Sequence, residues 1–113
     1  MSAKRDLNRI DDILKCIEVI ERHIQGKSLH DFEQDDMLQG GIQFQFLIIG
    51  EAVGSISYKR LEQYPFPWHL PKSFRNFIIH EYHQVKLERI YNACFSLDEL
   101  KTICISMKKD MTK

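Results

Sequence analysis

Leu7, Ile10, Leu14, Ile17, Ile20 and Ile24, with Ile13 alongside, recur every three or four residues near the start of the chain. Residues at that spacing return to one side of an α-helix at each turn, so the stretch predicts an amphipathic helix that has to bury its stripe. Gly26, a small residue just past the last periodic position, ends it.

The rest of the chain repeats the pattern. Ser28-Leu29-His30-Asp31 can cap a short helical turn containing Phe32, and the acids Asp31, Glu33, Asp35 and Asp36 stand where a following helix would favour negative charge. A second long helix is expected from about Asp35 to Arg60, with too many apolar positions for one stripe and hence burial on more than one side. Beta-branched residues would allow a strand between Ile42 and Ile49, but no hairpin partner or turn pattern supports it. Gly50 and Gly54, one turn apart, read as places where another helix comes close. Glu51 between them needs a partner, which the helix carrying Arg75 can supply.

Tyr64-Pro65-Phe66-Pro67-Trp68 then breaks the pattern, since the two prolines impose an extended connection whose aromatics fold onto the core. Pro71 suits the first turn of the next helix. Gln84-Val85 reads as a bend, and Leu87, Ile90, Tyr91 and Cys94 mark a short helix. Ser96 and Glu99 have capping-box spacing ahead of a final helix with the stripe Leu97, Leu100, Ile103, Cys104 and Met107. The expected architecture is a single domain over residues 1–113, an all-α antiparallel bundle of about five helices.

Charge and cysteine usage narrow the function classes. Sixteen basic residues balance sixteen acidic ones, which argues against broad electrostatic coating of nucleic acid but not against a local basic site. Cys16, Cys94 and Cys104 are odd in number, widely spaced and set in apolar stretches, so buried thiols are expected rather than disulfides or a metal centre. Lys4, Arg5 and Asp6 follow Met1 without an apolar stretch, and the longest apolar run, around Phe44–Ile49, is too short for a bilayer. The expectation is a cytoplasmic protein without a membrane segment.

The stretch richest in chemistry is Arg75-Asn76-Phe77-Ile78-Ile79-His80-Glu81-Tyr82. At about 100° per residue, Phe74, Phe77 and Ile78 share the arc that suits a core. Arg75, Asn76, His80 and Tyr82 fall on the opposite arc with Ile79 among them, and Arg75 and His80 diverge by roughly 140°. A permanent cation, an imidazole able to gain or lose a proton near neutrality and a phenol therefore point away from the core. The isoleucine in their midst suggests a covered surface, most simply a second copy of the chain.

Arginine, four residues, histidine, one residue, tyrosine resembles the signature of the HepT-like toxins of the HEPN superfamily. Ile48-Ile49-Gly50-Glu51-Ala52 is similar to that family's IIGEA segment, Pro67-Trp68 to its PW, and Arg75-Asn76 with His80-Glu81-Tyr82 to its RN and H-D/E-Y; Val85 and Leu87 fall where the family has VDL. The likeness runs from about residue 5 to residue 108 in one register. It implies a metal-independent endoribonuclease that forms homodimers and is paired with a minimal nucleotidyltransferase antitoxin. It also implies that Arg75 and His80 are the catalytic pair, that Asn76 shapes the pocket, and that Tyr82 is the tyrosine the antitoxin adenylylates. Gln43 and Gln45 depart from the basic residue often found before the IIGEA segment, and Pro71 interrupts the usual early turns of the motif helix.

RNA cleavage without metal needs the 2′-OH deprotonated and the charge on a pentavalent phosphate stabilised. His80 can serve as general base or acid, and Arg75 can grip the phosphate through its planar fork. The expected products are a 2′,3′-cyclic phosphate and a 5′-OH. Two motif helices meeting across a two-fold axis would reconcile the 140° divergence. Glu51 either orients Arg75 or satisfies a buried neighbour. Lys72, His83, Lys86 and Arg89 either track the RNA backbone or form an ordinary charged surface. His80 and His83 are three apart, not the four of a zinc-protease helix, so neither metal nor another cofactor is expected. The alternative is a non-catalytic HEPN subunit that binds nucleotide or substrate beside a nucleotidyltransferase.

Overall fold

The structure is a computed structural model that describes residues 2–81 and 86–113. Those residues form seven helices and no strand: α1 (Ser2–Ile24), α2 (Leu29–Glu33), α3 (Asp36–Gly54), α4 (Tyr58–Leu61), α5 (His69–His80), α6 (Leu87–Ala93) and α7 (Asp98–Met111). The expected count of about five is too low because the stretch expected as one helix from Asp35 to Arg60 is two, α3 and α4, and the short turn expected around Phe32 is a helix of its own, α2. The bend expected at Gln84-Val85 lies outside the described residues.

The α1 stripe is buried as its spacing requires, with Ile10, Ile13, Ile17 and Ile20 fully enclosed. Gly26 adopts a φ of 76°, the left-handed conformation that closes a helix and that other residues adopt only with strain. The capping box at the start of α2 forms, Asp31 N–H donating to Ser28 Oγ at 3.0 Å and Ser28 N–H to the Asp31 carboxylate at 2.9 Å. Asp35 caps α3 by accepting from Leu38 N–H at 3.0 Å.

α3 is the central element, packed against α1 on one side and α5 on another, while α7 packs on α1. Its buried residues Ile42, Phe46, Ile49 and Val53 fall within about 60° of one another and form one stripe, widened by Ala52 and Gly50. The expectation of burial on more than one side is thereby corrected: Leu38, Leu47 and Ile48 are only partly buried, and Met37 and Phe44 are exposed. It does not continue to Arg60. Asp6, the one buried charged residue among the described positions, accepts from Ser57 N–H at 3.0 Å, Ser57 Oγ–H at 2.7 Å and Arg60 Nε–H at 2.8 Å. That grip holds Ser57 extended (φ −60°, ψ 137°), which stops α3 and lets α4 begin.

Tyr64, Phe66 and Trp68 pack against the core as expected, and the Trp68 indole N–H donates to the Leu61 carbonyl at 2.9 Å. Pro71 lies in the first turn of α5. The capping box expected at Ser96 does not form. Leu97 occupies the N-cap of α7 without a side-chain bond, and Ser96 Oγ is directed back to the Asn92 carbonyl at 3.4 Å. The three cysteines are buried free thiols. Among the described residues no helix is long and apolar enough to cross a membrane.

Candidate active site

The arginine of the motif does not simply face outward. α5 crosses α3 so closely that a Cβ built on Gly50 would lie 2.5 Å from Arg75 Cβ and 2.9 Å from the Pro71 carbonyl oxygen. Only glycine leaves room for that approach. The neighbouring Gly54 has nothing within 4 Å of such a Cβ, so the expectation of two close-approach glycines holds for Gly50 alone.

Seated over Gly50, the Arg75 side chain is 29% exposed, and its guanidinium is held at both terminal nitrogens. Nη2 lies 3.1 Å from Glu51 Oε2, and Nη1 donates to Asn76 Oδ1 at 2.9 Å. Glu51 is 69% exposed, so it is not the buried carboxylate its apolar neighbours suggested. Its carboxylate meets the half-buried guanidinium of Arg75. Two such bonds fix the plane of a fork that would otherwise sweep through many rotamers.

Arg75 borders an open groove of about 350 Å³ between α1, α3 and α5. Its polar rim is completed by Glu51, Ser55, Arg9 and Asp12, and Ile48 and Ile79 contribute to its apolar wall. Sequence reasoning missed Arg9 and Asp12. Their spacing of three marks an intrahelical pair, observed at 3.1 Å, but nothing local says that this turn of α1 faces the motif helix.

His80 is the last residue of α5 and is exposed. It does not line the Arg75 groove, and its side chain makes no hydrogen bond or ion pair with the described residues. The structure thus gathers Arg75, Asn76 and Glu51 and leaves His80 apart. Lys72 and Lys86 are exposed, while the Arg89 guanidinium lies over the Phe77 ring at 4.0 Å. Tyr82 and His83 lie outside the described residues. Among the described residues no three of His, Cys, Asp and Glu come together as a metal site.

The model of the family described as ribonuclease HepT-like matches residues 13–107. The chain belongs to that family. No solved structure matches it significantly. The HepT-like match covers α3, the connection through Trp68 and the whole of α5, so the groove's α3 and α5 walls fall inside it; Arg9 and Asp12 lie just outside.

A second feature adjoins the groove. Ile79 and Leu47 also border a hollow of about 540 Å³ on the outer side of α3 and α5, together with Phe44 and Ile78. Phe44 is 58% exposed and Ile79 44%, so two large apolar side chains stand open to solvent at this hollow, whose lining also includes Asp36, Gln39 and Gln43.

Proposed function

We propose that this HepT-like protein is a metal-independent endoribonuclease toxin that acts as a homodimer. The observation that carries this reading is the half-buried Arg75, fixed by Glu51 and Asn76 over Gly50 and bordering a groove open to solvent. A restrained guanidinium at such a surface suits a phosphodiester, and is most effective where charge builds up during reaction.

In the proposed reaction the 2′ oxygen attacks the adjacent phosphorus and its proton passes to a base. The bond from phosphorus to the 5′ oxygen then breaks, and that oxygen takes up a proton. The products are a 2′,3′-cyclic phosphate and a 5′-OH. His80 is the proton carrier and Arg75 stabilises the pentavalent phosphate. Asn76 and Glu51 hold Arg75 in position. His80 stands outside its own subunit's groove, and the apolar surface of Phe44, Leu47 and Ile79 supports a second copy docking beside it. Pairing there would bring two motif helices to one cleft.

By the family resemblance, Tyr82 is the residue that a cognate nucleotidyltransferase antitoxin adenylylates, which would put a phosphate where RNA has to bind. Lys72, His83, Lys86 and Arg89 are assigned to the RNA backbone. Such contacts predict binding that weakens as salt rises.

The test is purified protein incubated with RNA in EDTA beside its His80→Ala form. Cleavage by the first and not the second supports the enzyme. The separation of His80 from the groove favours one rival, a non-catalytic HEPN subunit that binds nucleotide or substrate. That rival predicts the same absence of cleavage from both proteins.

A further inference from the structure

We propose that Arg9 is a second phosphate-binding residue of the groove, holding the backbone phosphate next to the scissile one. The inference rests on the ribonuclease reading. Arg9 and Arg75 approach the same cavity from different helices, Arg9 from α1 and Arg75 from α5. The groove of about 350 Å³ that they border is open to solvent, so a polynucleotide backbone can enter it from outside.

The two arginines are held differently. Arg75 has a partner on each terminal nitrogen and sits against α3. Arg9 has one partner, Asp12, at 3.1 Å on its own helix, with both side chains well exposed at 38% and 47%. A pair of that kind is weak and exchangeable. The Arg9 Nε is shielded from solvent and meets no acceptor among the described residues. A donor in that condition gains a bond when an oxyanion arrives, and turning the Nε–Nη edge onto a phosphate would satisfy it bidentately. Asp12 and Glu51 keep the empty groove close to neutral. A polyanion that displaces Asp12 from Arg9 would therefore be bound through geometry rather than through excess charge.

The test is fluorescence anisotropy of a labelled 2′-O-methyl RNA, which has no 2′ hydroxyl to react, titrated with the intact protein at several KCl concentrations. Arg9→Gln is predicted to weaken binding about tenfold and to reduce the slope of log affinity against log salt by about 0.7, the value for one phosphate on a single strand. Arg9→Lys keeps the charge without the fork, so it is predicted to hold the salt slope and to weaken binding by about threefold. Lys4→Gln removes an exposed charge from the same helix and is predicted to bind as wild type. On cleavable RNA, Arg9→Gln should raise KM and leave kcat in place.

Wild-type binding and cleavage with an Arg9→Gln protein indistinguishable from Lys4→Gln would overturn the role of Arg9 and leave the ribonuclease reading standing. A wild type that neither binds nor cuts RNA overturns both. If circular dichroism shows Arg9→Gln to be misfolded, Arg9→Lys decides alone, and wild-type affinity in that variant would overturn the assignment.

Discussion

Gly50 and Arg75 are matched across the α3–α5 crossing: the missing side chain of one is the space in which the other's Cβ sits, 2.5 Å from where a Gly50 Cβ would be. The arginine's position is therefore set by backbone approach as much as by its polar partners. Gly50→Ala is predicted to cost about 1–3 kcal/mol through overpacking, more than the ~1 kcal/mol that alanine gains in helix propensity. The variant should also lose RNA cleavage, because α5 has to move away. Gly54→Ala, with open space around it, is the control and is predicted to be neutral or to stabilise by up to ~1 kcal/mol. Urea unfolding of the two variants decides whether they differ in sign.

Asp6 supplies a pH-dependent part of the stability. Burial alone would raise its pKa, but the bonds from Arg60 and Ser57 and the arginine's charge outweigh burial and hold it below the usual 3.8. A depressed folded pKa means that its contribution is fully present above about pH 4 and is lost as pH falls through the folded value. At pH 7, Asp6→Asn is predicted to lose about 1.5–3 kcal/mol, the range for hydrogen bonds to a charged group. The gap between variant and wild type should narrow below pH 4. Urea midpoints at pH 7 and pH 3 test this, and a gap that stays constant would contradict it.

The apolar surface of α3 and α5 predicts the oligomeric state. Wild type should sediment as a dimer, and Phe44→Glu, which puts a charge on the exposed part of that surface, should sediment as a monomer with little cleavage activity. A monomeric, fully active wild type would contradict the shared cleft.

The thiols should be inert while the chain is folded. Burial pushes Cys16 up to about 11 and Cys94 and Cys104 up to about 12, so at pH 8 almost no thiolate is available. Iodoacetamide is predicted to label none of them in buffer and all three in urea, as read by intact mass.

Local pattern carried far into this fold. The three-and-four spacing of α1, the turn at Gly26, the box at Ser28 and the first-turn Pro71 all depend on neighbours within a few residues, and all are where the sequence puts them. The end of α3 was not legible because Ser57 is held by Asp6, fifty-one positions away. Ser96 misled because its hydroxyl found the Asn92 carbonyl instead of a helix start. At the site, the pairing of Glu51 with Arg75 could be read from a carboxylate in apolar company that, if buried, needs a partner; the pair forms, but with Glu51 largely exposed. Arg9 could not be read, because only the packing of α1 brings it to the motif helix.

The central claim, that Arg75 stabilises the phosphate being cut, is tested most directly by the rate at which Arg75→Ala cleaves a labelled RNA in EDTA, with product ends identified by mass. The account predicts a fall of about a hundredfold or more, as for loss of one group that stabilises a developing oxyanion, and 2′,3′-cyclic phosphate ends from the wild type. Wild-type cleavage by Arg75→Ala, in a protein that is still folded, would contradict it.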